Sequence, residues 1–466
     1  MLVALINYFF PELKPAERSK FLFLGSIAFM ILGTYWLMWL LKQAIFFKIA
    51  FPESLGWAPQ QGALFQPLAK IWSPFVVLGL VLIYSKLIDL VKKHQLFYII
   101  CTFYALLFAL IGIALMIKDY SGSLVLGRTF LASMGWIYFF AAESFGSLVI
   151  ALFWSFTNSI TDSPSAQRGF PLITAAAQLG AMGGAGILLL SSAIGAVWPL
   201  IILTSVMTAA IPVMIYFFMK YTPSVELLGN PIAHRTEKIK EGFFEGFITG
   251  LTLLVRQPYL LGILIISTFG DICIQIVEYL MHSYASLPCN YASETAFCWF
   301  QGLFGISTNG FSFVVALMGT RYFIKKMGIR GSLLFYPSVF ALTIFILFGL
   351  YYVAPLSSFH FLWITFGAMI IFKGLGYAFN NPVKEIMYIP TSKDAKFKSK
   401  GWIDMFGGRF AKAGGAQITS MYKHSMTDLI FFGALMSGGL ITIWLLAAFF
   451  VGKKNEQLVK KNTIIE

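Results

Sequence analysis

The stretch YLLGILIISTFGDICIQIVEYLMHS, residues 259–283, is predominantly apolar, carries two acidic side chains, Asp271 and Glu278, and contains no Lys or Arg. A helix of roughly 20 apolar residues crosses the hydrocarbon core of a bilayer, so this segment reads as a membrane span rather than as the helix of a soluble core. The two carboxylates lie two helical turns apart, so both side chains share one face. An ionisable group at bilayer depth costs about 3 kcal/mol even on the lenient insertion scale, and it faces a partner or water rather than lipid.

Working outward, comparable apolar segments fall at about 20–47, 63–88, 95–117, 128–160, 168–193, 197–220, 258–285, 302–325, 332–353, 358–380, 402–423 and 427–451. The spacing predicts twelve transmembrane helices in an all-α polytopic membrane protein. Composition agrees: of 466 residues 58% are apolar and 12% charged, with a mean hydropathy of +0.78, and a soluble protein carries about twice that charged fraction. A water-soluble globular fold is excluded. The net charge of +14 would suggest nucleic acid as a partner of a soluble protein. In a membrane protein it divides instead between loop anchoring and a cavity for an anionic solute.

Basic residues mark one set of alternate connections: VKKHQ (91–95), DSPSAQR (162–168), HRTEKIK (234–240), RYFIKKMGIR (321–330), SKDAKFKSK (392–400) and the tail KKNEQLVKK (453–461). By the positive-inside rule these are cytoplasmic, and so are both termini. The N-terminal MLVALINYFFPELKPAERSK has no cleavage site, so no signal peptide is expected. The longest connection, 221–257, contains Pro223, Pro231 and the amphipathic KIKEGFFEGFITGLTLLV (238–255). It separates a six-helix bundle in 1–220 from a second in 258–466, with a linker helix lying on the membrane surface. GGAGI (183–187) and GGAQI (414–418), together with the basic turns after the second and eighth spans, suggest an internal repeat at an offset of roughly 230–240 residues.

No GxxxxGK[ST], HExxH or GxSxG motif is present, so neither an enzyme nor an ATP-driven pump is indicated. The four cysteines show no metal spacing, and neither a metal nor a cofactor is expected. Cys289 and Cys298 lie in the polar segment SLPCNYASETAFCWF (286–300) on the outer side, where a disulfide would persist. The candidate chemistry sits in charges inside spans: Lys42, Glu143, Asp271, Glu278 and Lys373. For each the alternative is a buried ion pair holding helices together. In DMFGGRFAKAGGAQ (404–417), Arg409 and Lys412 are three apart on one face among glycines, suited to an anionic ligand or else to lipid headgroups. Lys400 and its neighbours read first as positive-inside residues. Phe153, Trp154, Phe156 and Asn158 close the fourth span, where a ring would stack on a base or simply fill the core.

Three stretches resemble the nucleotide transporter family of ATP/ADP translocases found in intracellular bacteria and in plastids. AESFGSLVIALFWSFTNSITDSPSAQRGFPL (142–172) is similar to the family's fourth helix, with Glu143, Phe153, Trp154, Asn158, Ala166 and Arg168. The stretch 259–283 is similar to the seventh, with Glu278. NPVKEIMYIPTSKDAKFKSKGWIDMFGGRFAKAGG (381–415) resembles the most specific block, through Lys384 to Pro390, Lys398, Lys400, Asp404, Arg409 and Lys412. The resemblance implies a major-facilitator-like fold, exchange or proton-driven uptake of nucleotides, and functional roles for Lys42, Glu143, Glu278 and either Lys400 or Lys412. It also implies departures. Where the family's first helix carries Arg-x-x-Lys-Asp, this chain has Trp39, Lys42 and Gln43, and Asp271 stands where the family is uncharged. Fewer positive charges suit a nucleotide exchanger or, alternatively, a proton-coupled importer of NAD, a monophosphate or a non-nucleotide solute. The partners expected are thus a nucleotide or other anionic solute, protons and lipid, with no nucleic acid, for a monomer in a bacterial inner membrane.

Overall fold

The structure, a computed structural model, describes residues 13–14, 17–222, 251–317, 320–392, 399–461 and 463. Most of the expected linker, 223–250, lies outside the described residues, as does Lys398. The main helices are α1 (Arg18–Ala44), α2 (Gln61–Leu90), α3 (Lys93–Ser121), α4 (Arg128–Ser159), α5 (Ser163–Ile187) and α6 (Trp198–Tyr221), then α7 (Pro258–Ser286), α8 (Glu294–Leu317), α9 (Thr320–Val353), α10 (Ser358–Leu375), α11 (Gly408–Tyr422) and α12 (Met426–Lys461). Proline in the first turn starts α5, α6 and α7, where its missing N–H costs nothing. Ser357 caps α10 by accepting from the His360 N–H. Among the described residues three π-helical turns interrupt the pattern: Ile45–Ile49 at the end of α1, Gly376–Asn380 at the end of α10, and Ile403–Gly407 leading into α11.

Among the described residues ten helices are long and apolar enough to cross a bilayer. The expected twelve are reduced by two on that measure, although both missing spans are helical. α8 carries the buried polar side chains Gln301, Thr308, Asn309 and Ser312, and α11 is only 15 residues long and includes Arg409 and Lys412. Polar side chains that face protein lower a helix's apolarity without exposing them to lipid.

The chain gathers into two compact units, Met1–Gly62 with Phe75–Ile239 and Tyr291–Ile306, and Ala63–Pro74 with Lys240–Asn290 and Ser307–Glu466. In the first, α1 packs on α4, α5 and α6, and α3 packs on α4 and α6. In the second, α7 packs on α10, α11 and α12, and α9 packs on α10 and α12. The two patterns are the same, helix for helix, which is the internal repeat in three dimensions. The first turn of α8 is bound into the first unit by an ion pair between Lys118 and Glu294, by Lys48 Nζ donating to the Ala292 carbonyl at 3.2 Å, and by Ser191 Oγ donating to the Thr295 carbonyl at 2.8 Å.

Cys289 and Cys298 are both free thiols. The expected disulfide is therefore corrected: Cys298, one turn into α8, is fully buried, whereas Cys289 is exposed with its Sγ 3.3 Å from Ser358 Oγ.

Small residues set the closest helix contacts, as they do where van der Waals packing drives helix association in lipid. A Cβ on Gly184 of α5 would overlap the Gly33 carbonyl oxygen of α1, and one on Gly180 would overlap that of Phe29. In the second unit a Cβ on Gly415 of α11 would lie 2.5 Å from the Ile272 carbonyl oxygen of α7. Gly184 and Gly415 are the matching glycines of GGAGI and GGAQI, so the motif repeats because the close contact repeats. Gly184→Ala is expected to lower thermal stability in detergent by about 1–3 kcal/mol, the range for overpacking. Gly183→Ala is the control, because its Cβ meets nothing nearer than Phe29 Cζ at 3.7 Å; equal melting of the two variants would dismiss the close contact as the constraint.

Candidate functional site

The sequence-predicted charges form one buried ion pair in each unit. In the first, Lys42 of α1 bonds to Glu143 of α4. Two glycines of α4 permit the approach: a Cβ on Gly146 would strike the Tyr35 ring, and one on Gly135 would strike the Ala50 Cβ. The Lys42 side chain is wholly buried, with its ammonium 4.7 Å from the Phe139 ring centre and 5.2 Å from that of Trp39. Ring faces stabilise a desolvated cation by about 2 kcal/mol. Trp39, in the position where the family's first helix carries a cation, thus contributes a π face to Lys42. Beside it Gln43 is fully buried, and neither its amide oxygen nor its nitrogen has a hydrogen-bond partner.

In the second unit Lys373 of α10 donates to Glu278 of α7 at 2.7 Å, and His282, one turn further along α7, brings its Nε2 to 3.8 Å from the same oxygen. Lys373 has an aromatic support, since Phe372 beside it stacks on Phe340 at 3.6 Å and its carbonyl accepts from the Tyr336 hydroxyl at 2.8 Å. Asp271 is half-buried beside Gly408, where a Cβ would come within 3.1 Å of its carboxylate. The unit therefore holds the Lys373–Glu278 pair with His282 beside it, and a second carboxylate, Asp271, two turns away on α7.

The remaining residues of the predicted set are less engaged. Lys400 pairs with Glu385 at 2.7 Å on a half-exposed surface, an interaction of about 0–1 kcal/mol. Arg409 is half-buried and Lys412 exposed on α11, and Asn158 is exposed at the end of α4. Phe153 and Phe156 are core, 1% and 3% exposed, and Trp154 stands edge-on to Phe153 and Phe170. Arg168 is a tie: it donates to Glu17 at 2.6 and 3.1 Å, and this bond, against the opposing effect of burial, holds the Glu17 carboxyl down to about 2. Lys70 and His282 are absent from the sequence-based set. Lys70 interrupts an apolar run just as Lys42 does, so the same criterion points to it.

Bilayer-length helices carrying buried, oppositely charged pairs are the arrangement expected of a polytopic membrane protein. Over residues 2–454 the chain matches the family described as TLC ATP/ADP transporter, and it belongs to that family. It is similar to ADP,ATP carrier protein 1 of Chlamydia muridarum, 27% identical over 449 residues that cover 85% of this chain and 82% of the relative. It is also similar to the chloroplastic ADP,ATP carrier protein 2 of Arabidopsis thaliana, 26% identical over 421 residues that cover 82% and 67%. Among solved structures, a peptide transporter in complex with sulfate superposes with a TM-score of 0.63 at 13% identity, over 92% of this chain and 95% of that one. That likeness concerns the fold alone.

Removing one member of a buried pair leaves a bare charge and costs about 3–5 kcal/mol, while replacing both by apolar groups is close to neutral. Lys42→Met alone is therefore expected to melt far lower than the native protein, and Lys42→Met with Glu143→Leu to recover most of the loss, with transport absent in both. Full stability of the single variant would show that the pair does not hold α1 to α4.

Proposed function

We propose that this chain exchanges nucleotides, ATP for ADP or a related pair, by alternating access across a bacterial inner membrane. Family membership carries this reading, and the charges buried within the spans, Lys42 with Glu143 and Lys373 with Glu278, support it. An uncompensated cation at bilayer depth costs about 3 kcal/mol, which is about a hundredfold in rate. A carrier whose lysines are balanced by substrate phosphate returns slowly when empty, and it therefore exchanges rather than leaks. In this reading Lys42, Lys373, Arg409 and Lys412 hold anionic groups, Trp39 offers a ring, Asn158 and Lys400 stand on the route, and Glu143 and Glu278 couple binding to movement. Twelve spans in two six-helix halves, 1–220 and 258–466, joined by a surface helix within 221–257, complete the proposal, with both termini cytoplasmic and a monomer as the working unit.

A second reading rests on Asp271 and on Gln43, which add one negative charge and remove another. It is proton-coupled uptake of a less charged nucleotide, NAD or a monophosphate, or of a non-nucleotide solute, through a carboxyl whose ionisation is disfavoured by burial. Proteoliposomes loaded with ADP and supplied with labelled ATP, other nucleotides or NAD separate the two. Exchange predicts uptake only against internal nucleotide and indifference to a protonophore. Uptake that ignores internal nucleotide and collapses with the protonophore would establish the second reading, and movement of no nucleotide at all would overturn the first.

A further inference from the structure

We propose that His282 is the second partner of Glu278, a positioning residue that takes over the carboxylate when Lys373 turns to the phosphate of a bound nucleotide; the inference rests on the nucleotide reading above. Lys373 Nζ donates to Glu278 Oε1 at 2.7 Å, and His282 Nε2 stands 3.8 Å from that same oxygen. Two nitrogens from different helices, α10 and α7, thus converge on one carboxylate oxygen. One is bonded to it, and the other is roughly 1 Å beyond hydrogen-bonding distance. His282 follows Glu278 by one helical turn, so the two side chains are neighbours on one face of α7 and a side-chain rotation closes the gap. Facing a carboxylate, the neutral imidazole keeps its proton on Nε2 and donates from there.

Burial makes a second partner necessary in this unit. The side chains of Glu278 and His282 are 4% and 0% exposed, so a carboxylate that Lys373 has left cannot be rehydrated in place. A buried charge without a partner costs far more than the pair contributes. The other unit supplies the comparison. Glu143, the partner of Lys42, has a side chain 15% exposed, within reach of water. One turn after it stands Ser147, whose hydroxyl donates to the Glu143 backbone carbonyl at 3.0 Å rather than to the carboxylate. The histidine accompanies the carboxylate that water does not reach. Because the imidazole donates in its neutral form, the hand-over takes up and releases no proton, and exchange stays indifferent to a proton gradient.

Exchange kinetics of the full chain in proteoliposomes, together with its melting in detergent, test the assignment. His282→Leu is expected to raise KM for ATP and ADP about tenfold, which is about 1.4 kcal/mol and the scale of one hydrogen bond to a charged group, with kcat close to native. Without nucleotide the bond between Lys373 and Glu278 is intact, so the variant should melt near the native temperature, while a fixed concentration of ADP should raise its melting point less than it raises the native one. His282→Gln, whose amide nitrogen lies as many bonds from the backbone as the imidazole Nε2, donates without titrating and should restore KM. If the native protein exchanges nucleotides and His282→Leu keeps the native KM, or if His282→Gln fails to restore a raised one, the inference is wrong and the functional reading stands. Lowered ligand-free melting and kcat at an unchanged KM would mark His282 as packing alone. Should His282→Leu not fold, His282→Phe, a ring without a donor, takes its place, and failure of both to fold overturns the proposal. If the native protein moves no nucleotide, the functional reading falls and this inference with it.

Discussion

An ammonium and a carboxylate taken out of water attract one another far more strongly than in solution, and each is far more costly when left alone. This constraint fixes what the interior of each unit can do. Lys42 must keep Glu143 and Lys373 must keep Glu278, or some other group must take the vacated place. An anionic solute is such a group. On the proposed function, the ion pairs would make the same side chains responsible for holding helices together and for sensing whether a ligand is present. A residue of this kind has no purely structural or purely functional role.

The two pairs are related by the repeat but inverted in sign. The first helix of the first unit carries Lys42 and its fourth carries Glu143; the first helix of the second unit carries Glu278 and its fourth carries Lys373. Lys42 and Glu278 are separated by nearly the same offset as Glu143 and Lys373, and by nearly the same offset as the glycine motifs. Packing, glycine contacts and the buried glutamines of the second helices, Gln66 and Gln301, repeat as well, so the asymmetry lies in the charges. A duplicated frame with divergent electrostatics allows one half to respond to the cationic part of a binding event and the other to the anionic part, without altering the helix framework.

Much of the framework is legible in the sequence because lipid imposes a single requirement, length without charge, and ten helices meet it. The same logic is weakest where protein rather than lipid surrounds a helix. α8 is interrupted by Gln301 and Asn309 and α11 by Arg409 and Lys412, and hydropathy alone cannot separate such helices from loops. For the site, the charges stood out one by one, but their partners did not. Nothing in the spacing of residues 42, 143, 278 and 373 says which lysine meets which glutamate, since that depends on helix rotation and on glycines such as Gly146. The cysteines make the converse point: sharing a polar segment does not orient two thiols toward each other, and burial of Cys298 decides their fate.

The π turns have a mechanical meaning. Each holds one residue more than an α-helical turn of the same rise, and two of the three begin within three residues of a paired lysine, Ile45–Ile49 after Lys42 and Gly376–Asn380 after Lys373. Moving that surplus one turn along its helix would rotate the side chains it passes by about 100°, with few hydrogen bonds broken at any moment. A lysine could then swing away from its glutamate while its helix stays intact. On the proposed function, α1 and α10 would carry within themselves the slack to exchange an internal partner for a visiting one.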